Sequence, residues 1–291
     1  MAPEIECAVR CRDLLGECPL WDERDAVLWW VDILGPSLKS FSPTRGKLEA
    51  FPMQESVGSF AFRESGGLVA AMKSGLYFLD PRSGERQALA QPERDRPDNR
   101  FNDGRCDRRG RFWAGTMNES KREPDGALYR LSIDGRCERK RSGVIIPNSL
   151  AWSPDGRTMY FADTVRDLIW AFDYDPDSGE MANERVFADC APNAGYPDGS
   201  CVDAEGCLWN AEYGGARIVR YTPGGKIDRT IELPVRNPTC CCFGGARLDT
   251  LYIATASQQM KPEQLEAQPL AGSVLAVRPG VVGLAESRFG G

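Results

Sequence analysis

Four side chains with oxygen donors recur at one register of this sequence. Glu17, Asn102, Asn148 and Asp198 each stand five residues ahead of a turn, at Asp22–Asp25, Asp107–Gly110, Ser153–Gly156 and Asp203–Gly206 respectively. Two further turns, Arg63–Gly66 and Gly244–Arg247, put Gly58 and Thr239 at the same register. Carboxylate and amide oxygens are hard donors that suit Ca²⁺, Mg²⁺ or Mn²⁺. Two carboxylates converging in a narrow space would be costly without a partner, because buried charge has to be paired or metal-bound. Glu17, Asn148 and Asp198 suit a metal-ligand set, and Asn102 is either a fourth ligand or a substrate donor. A cation with three protein ligands keeps positions for water and substrate, where it polarises a carbonyl and acidifies water. That is hydrolytic chemistry.

Such a site requires six separate segments to reach one height of the molecule. The strands that follow the turns begin at Leu28, Leu68, Phe112, Met159, Leu208 and Leu251, with spacings of 40, 44, 47, 49 and 43 residues. Self-similarity at about 40–50 residues, built of short strands and turns, marks a repeat array of the propeller kind. The expected fold is all-β: a six-bladed β-propeller with four-stranded blades, the first strand of each lining a central channel. The expected blades are Cys18–Met53, Val57–Gln91, Arg100–Gly143, Pro147–Asp189, Tyr196–Pro234 and Asn237–Phe289, in one domain over 1–291. Helical periodicity is absent except in the insertion Ser257–Pro269, where Pro262–Ala267 predicts a turn or two of helix. How the ring closes is not readable from the spacing.

Composition narrows the chemistry. The chain has 291 residues and no histidine. This excludes Ser-His-Asp and Cys-His catalysis, histidine zinc sites and a histidine base. Neither a GxGxxG nor a GxxxxGK[ST] loop is present, so no phosphate cradle of those kinds is expected. The net charge of −6, with both signs scattered, argues against a nucleic-acid partner. No apolar run approaches the ~18 residues of a membrane helix. The first fifteen residues carry charges at Glu4, Glu6, Arg10, Arg12 and Asp13 and lack a leader-like apolar core, so a cytoplasmic protein is expected. Eleven cysteines, an odd number without a CxxC pair, fit a reducing compartment, with the thiols acting as small buried hydrophobes. Adjacent strand residues face opposite ways, so Cys240, Cys241 and Cys242 cannot share one soft metal site.

The segments around the register positions resemble the regucalcin (senescence marker protein) and gluconolactonase family. They are Gly16–Trp21, Asn99–Gly104, Gly115–Met117, Pro147–Trp152, Pro197–Gly199 and Cys242–Gly245, and the likeness spans nearly the whole chain. The resemblance implies a six-bladed propeller with one divalent cation (Ca²⁺, Mg²⁺, Mn²⁺ or Zn²⁺) that opens sugar aldonolactones to aldonic acids. It places the metal ligands on Glu17, Asn148 and Asp198 and the sugar contacts on Arg100, Asn102 and Glu119. Asp103 matches a site the family keeps beside the channel asparagine. Asp198 is the candidate to steer and deprotonate water, with metal-bound hydroxide as the alternative base. The expected partner is a small sugar lactone, acted on by a monomer or weak homo-oligomer. An organofluorophosphatase-like phosphotriesterase and a non-catalytic calcium-binding propeller remain open as alternatives.

Overall fold

The computed structural model describes residues 3–291. Its strands form six four-stranded antiparallel sheets arranged as blades. Blade one shows the pattern, with Gly16–Asp22 innermost, then Val27–Asp32, Ser37–Ser42 and Lys47–Pro52 outermost. The innermost strands of the other blades are Val57–Phe62, Asn99–Cys106, Pro147–Trp152, Tyr196–Val202 and Pro238–Gly244, and neighbouring ones pack against each other round a closed ring. The protein is therefore a six-bladed β-propeller.

The burial pattern explains why the inner strands read as continuous apolar runs. A blade is covered on both faces by its neighbours, so strands such as Leu68–Met72 are buried at every position. The outermost strands, such as Lys47–Pro52, lie at the rim and have no buried position. The core is accordingly six separate layers, one between each pair of blades. Cys241 enters the layer between blades five and six, and Cys242 the layer between six and one. The cysteines are free thiols and most are buried, as their expected role as small hydrophobes requires.

The recurring turn has a physical cause. Asp203 Oδ1 accepts the backbone N–H groups of Glu205 and Cys207, both at 3.0 Å. Its Oδ2 accepts Trp209 Nε1 and Arg220 Nε, both at 2.8 Å. Asp107 repeats the arrangement with Arg109, Arg111 and Trp113. One carboxylate thus closes the turn and pins the aromatic anchor of the next strand.

Blade six departs from its expected bounds. Its outermost strand is the N-terminal Ile5–Val9, paired antiparallel with Val274–Val277, so the two chain ends meet in one sheet. Arg278-Pro279-Gly280 ends the last strand, because proline cannot donate to the ladder and glycine frees the backbone. The remaining segment, expected as part of blade six up to Phe289, instead straps the end of the propeller where the Asp-x-x-Gly turns lie. Gly283 bridges to Asp203, Glu286 pairs with Arg105, Arg288 pairs with Asp22, and Phe289 enters the layer between blades two and three.

Candidate active site

The register positions meet at the other end of the channel, away from the turns and the strap. Every inner strand carries an irregularity at this height: between Glu17 and Leu20, Val57 and Ser59, Phe101 and Gly104, Asn148 and Ala151, Pro197 and Ser200, and Pro238 and Cys240. A bulge bends the strand and re-aims a side chain. Cys18 and Ser149, each following a ring residue, have φ of 48° and 58°, a region that non-glycine residues rarely occupy. Such backbone is tolerated where the surroundings hold it in place, typically at functional sites.

Glu17 and Asp198 are 7% exposed, and Asn148 and Asn102 are 3% and 6% exposed. Glu17 Oε2 accepts only the neighbouring Cys18 N–H, at 3.0 Å. Burial, and then the charge of Asp103, pushes the Glu17 carboxyl up to about 8. Burial, with Glu17 and Asp103 nearby, raises Asp198 well above the usual carboxylate range. Neither forms an ion pair among the described residues; the neighbouring Arg100 guanidinium is turned to Glu119, at 3.2 Å. Two unpaired buried carboxylates facing one space are what a divalent cation would neutralise, so the donor set fits such an ion.

The amides are held in defined senses. Asn148 Nδ2 donates to Thr164 Oγ1 at 2.7 Å, and Thr164 donates in turn to the Pro197 carbonyl at 2.9 Å. Asn148 Oδ1 accepts Asn102 Nδ2 at 3.3 Å, which leaves one of its lone pairs for a cation. Asn102 Oδ1 accepts Arg100 at 2.7 Å, and its Nδ2 faces the Pro147 carbonyl at 3.0 Å and Asn148 Oδ1 at 3.3 Å. Arg100 is also anchored on the Phe101 carbonyl at 2.8 Å, and Glu119 bonds Lys73 as well. Arg100, Asn102 and Glu119 are therefore one connected group beside the ring. The Asp103 carboxylate accepts the Leu150 N–H at 2.8 Å and ties blade three to blade four.

The two ring positions without a donor role also have structural explanations. A Cβ on Gly58 would lie 2.4 Å from the Phe101 carbonyl, so only glycine lets blade three approach here. Thr239 donates to the Gly16 carbonyl at 2.5 Å, beside Glu17.

Several supporting residues were not found from the sequence. Ser149 Oγ donates to the Asp198 carbonyl at 2.6 Å, and Asn210 Nδ2 reaches the same carbonyl at 3.0 Å. Asn210 Nδ2 also lies 2.9 Å from both Ser149 Oγ and Ser200 Oγ, forming a buried polar layer beside the ring. Arg105, buried below Asp103, is the charged floor of the channel. Only the polar residues paired with apolar neighbours in the inner strands hinted at this layer. Asp203, Glu205 and Cys207 also cluster, but Arg220 already pairs with both of these acids, at 2.7 and 2.5 Å. A cavity of about 840 Å³ lies between blades one and two at the turn end, away from the ring.

Fold and site together define a class: a six-bladed propeller whose channel opens on an oxygen-lined ring of two carboxylates and two amides. Residues 15–257 match the family model described as "SMP-30/Gluconolactonase/LRE-like region". The chain is 37% identical over 292 residues to 6-deoxy-6-sulfogluconolactonase of Pseudomonas putida, covering 100% of both chains. It is 36% identical over 295 residues to Homo sapiens regucalcin, covering 99% of both. The crystal structure of a calcium-binding protein, regucalcin, from Agrobacterium tumefaciens superposes with a TM-score of 0.94 at 29% identity, covering 99% of this chain and 97% of that one. The chain belongs to the SMP-30/gluconolactonase family.

Proposed function

We propose that this protein hydrolyses a sugar aldonolactone to the aldonic acid with the help of one divalent cation. The observation that carries the reading is the pair Glu17 and Asp198, buried, raised in pKa and without a cationic partner. Family membership supports the lactone, since relatives include a 6-deoxy-6-sulfogluconolactonase and a putative sugar lactone lactonase of Bacillus subtilis. Glu17, Asn148 and Asp198 would hold Ca²⁺, Mg²⁺, Mn²⁺ or Zn²⁺. When bound, the cation supplies polarisation of the lactone carbonyl and stabilises the charge that develops on its oxygen.

The remaining roles belong to the chain itself. Asp198 lies beside the reacting carbonyl and is placed to orient water and take its proton. Water adds to the carbonyl carbon, the bond from that carbon to the ring oxygen breaks, and the ring oxygen takes up a proton. The acid so formed releases its proton near neutral pH, which makes the reaction measurable by base uptake. Arg100, Asn102 and Glu119 present donors and an acceptor for sugar hydroxyls, and Asp103 holds the channel wall behind them. The bulged backbone fixes the ring residues before substrate arrives, so little reorganisation is left for the reaction.

No helix is long and apolar enough to cross a membrane. The proposed setting is the cytoplasm, as a single domain over residues 1–291, monomeric or weakly self-associating. The test is titrimetric assay of several aldonolactones with and without chelator, after subtraction of spontaneous opening. Turnover that chelation abolishes and metal restores supports the reading. Metal binding without turnover of any lactone would favour the calcium-binding alternative.

A further inference from the structure

Blades one and four share a connection beside the ring and differ in it at one telling place. In blade one, Asp32 ends the second strand, and its carboxylate accepts the Leu14 and Leu15 N–H groups, both at 3.0 Å. The next N–H, that of Ile33, donates to the Leu15 carbonyl at 2.9 Å. In blade four, Asp163 ends the second strand, and its carboxylate accepts the Ile145 and Ile146 N–H groups at 2.9 and 3.0 Å. The Thr164 N–H then donates to the Ile146 carbonyl at 3.0 Å. Asp32 pairs with Gly16 and Asp163 with Pro147, each one residue before its ring residue, Glu17 or Asn148. Ile33 and Thr164 therefore hold equivalent places.

The difference between them follows the chemistry of the ring residue. A carboxylate offers oxygen at both ends, so Glu17 needs no neighbour to choose one, and Ile33 is apolar and buried. An amide carries oxygen at one end and NH₂ at the other, and only the oxygen can serve a hard cation. Which end is which follows from the partners each atom meets. The Pro197 carbonyl can only accept, so the Thr164 hydroxyl gives its proton there, at 2.9 Å. Thr164 Oγ1 is then an acceptor, and it takes Asn148 Nδ2 at 2.7 Å. Asn102 locks the other end, because its Oδ1 accepts Arg100 and its Nδ2 donates to Asn148 Oδ1 at 3.3 Å. The bonds thus run one way, from a guanidinium that only donates to a carbonyl that only accepts. They cross blades three, four and five and end one residue before Asp198.

We propose that Thr164 is a positioning residue of the cation site, whose hydroxyl fixes the sense of the Asn148 amide and ties it to the strand that carries Asp198. The proposal rests on the metal-dependent lactonase reading and extends it to a residue outside the ligand set. Removing the hydroxyl takes from Asn148 Nδ2 its acceptor and from the Pro197 carbonyl this donor. An amide so released turns more freely, and its oxygen faces the cation for less of the time.

The test is calorimetric titration of the chelator-stripped full-length protein with Mn²⁺ and with Ca²⁺. Thr164→Val keeps the side-chain shape and removes the hydroxyl. It should weaken binding of either ion about ten- to a hundredfold, the usual effect of losing the outer partner of a metal ligand. Thr164→Ser keeps the hydroxyl and should bind within about threefold of wild type. In an Asn148→Asp background, Thr164→Val should change affinity less than about threefold, because a carboxylate has no wrong end to present. Thermal unfolding of each stripped variant checks the fold, and Thr164→Ala serves in place of the valine variant if that one does not fold. Wild-type affinity in Thr164→Val overturns the proposal and leaves the lactonase reading standing. So does a serine variant as weak as the valine one, or an equal loss in the Asn148→Asp background. Absence of cation binding by wild type overturns both. If the expected affinities appear but no aldonolactone is opened, the positioning role survives and the lactonase reading falls.

Discussion

Glu17 shows what a single buried carboxyl contributes. Its pKa is 4.5 in an ordinary setting and about 8 in the folded protein, because of burial and then the Asp103 charge. The folded state binds this proton more tightly than the unfolded state. Between those two pH values the native state therefore holds more protons, and stability falls as pH rises. In metal-free protein the unfolding free energy from urea titrations should drop from pH 4.5 to 8, by on the order of a few kcal/mol in all. Glu17→Gln should flatten this profile, and added Ca²⁺ should restore stability at its upper end. A flat profile in metal-free wild type would count against the unpaired-carboxylate description. Arg100 gives a second prediction, because its guanidinium joins Asn102 and Glu119. Arg100→Ala should raise KM for a sugar lactone about tenfold while metal content stays the same. An unchanged KM would return Arg100 to a structural ion pair. At this scale the sequence was informative where identity and spacing sufficed: Glu17, Asn148 and Asp198 share a register. It was silent on Thr164, Ser149 and Asn210, whose bonds to the ring depend on which blades become neighbours.

The element that sets the site is the bulged inner strand. Regular alternation would carry Glu17 and Leu20 on one continuous ladder; the irregularity between them turns the strand and aims the carboxylate. Nothing in the spacing announces a bulge, because the extra residue is absorbed within a turn-to-strand distance that already varies. Ser149 supports the neighbouring bulge by bonding the Asp198 carbonyl at 2.6 Å. Ser149→Ala should weaken metal binding about tenfold by calorimetry, as loss of outer-shell support usually does. Intact affinity would remove Ser149 from the site. At the opposite end of the blade, Asp203 bonds two backbone amides, Trp209 and Arg220. Asp203→Ala should destabilise the protein by about 3–5 kcal/mol in urea titrations, since it leaves two backbone amides and the buried Trp209 Nε1 without their acceptor, while Arg220 keeps Glu205 and Asp228. Glu205→Ala, 63% exposed in the same cluster, should cost about 1 kcal/mol or less. Equal effects would show that the turn carboxylate is not the keystone of the repeat.

At the scale of the molecule, six equivalent blades make one ring, and that was legible because the repeat phrase survives in every copy. Closure was not legible. Ile5–Val9 has no repeat phrase of its own and becomes a strand only by pairing with Val274–Val277. The strap from Gly283 to Phe289 reads as a blade ending, yet its contacts lie in four other blades. Phe289, 1% exposed, seats the strap between blades two and three. Phe289→Ala should cost about 3–5 kcal/mol in urea titrations, and a loss under 1 kcal/mol would mean the strap adds little to closure. The ring in turn exists to bring residues 17, 102, 148 and 198 together at one end of a channel. The consequence proposed for it is hydrolysis of a lactone that depends on a cation and on Asp198, in a protein without histidine. The most direct measurement is proton release from an aldonolactone by wild type and by Asp198→Asn, each stripped with chelator and then resupplied with Mn²⁺, Ca²⁺ or Mg²⁺. The account predicts turnover only in resupplied wild type; full turnover in the stripped protein, or in Asp198→Asn, would contradict it.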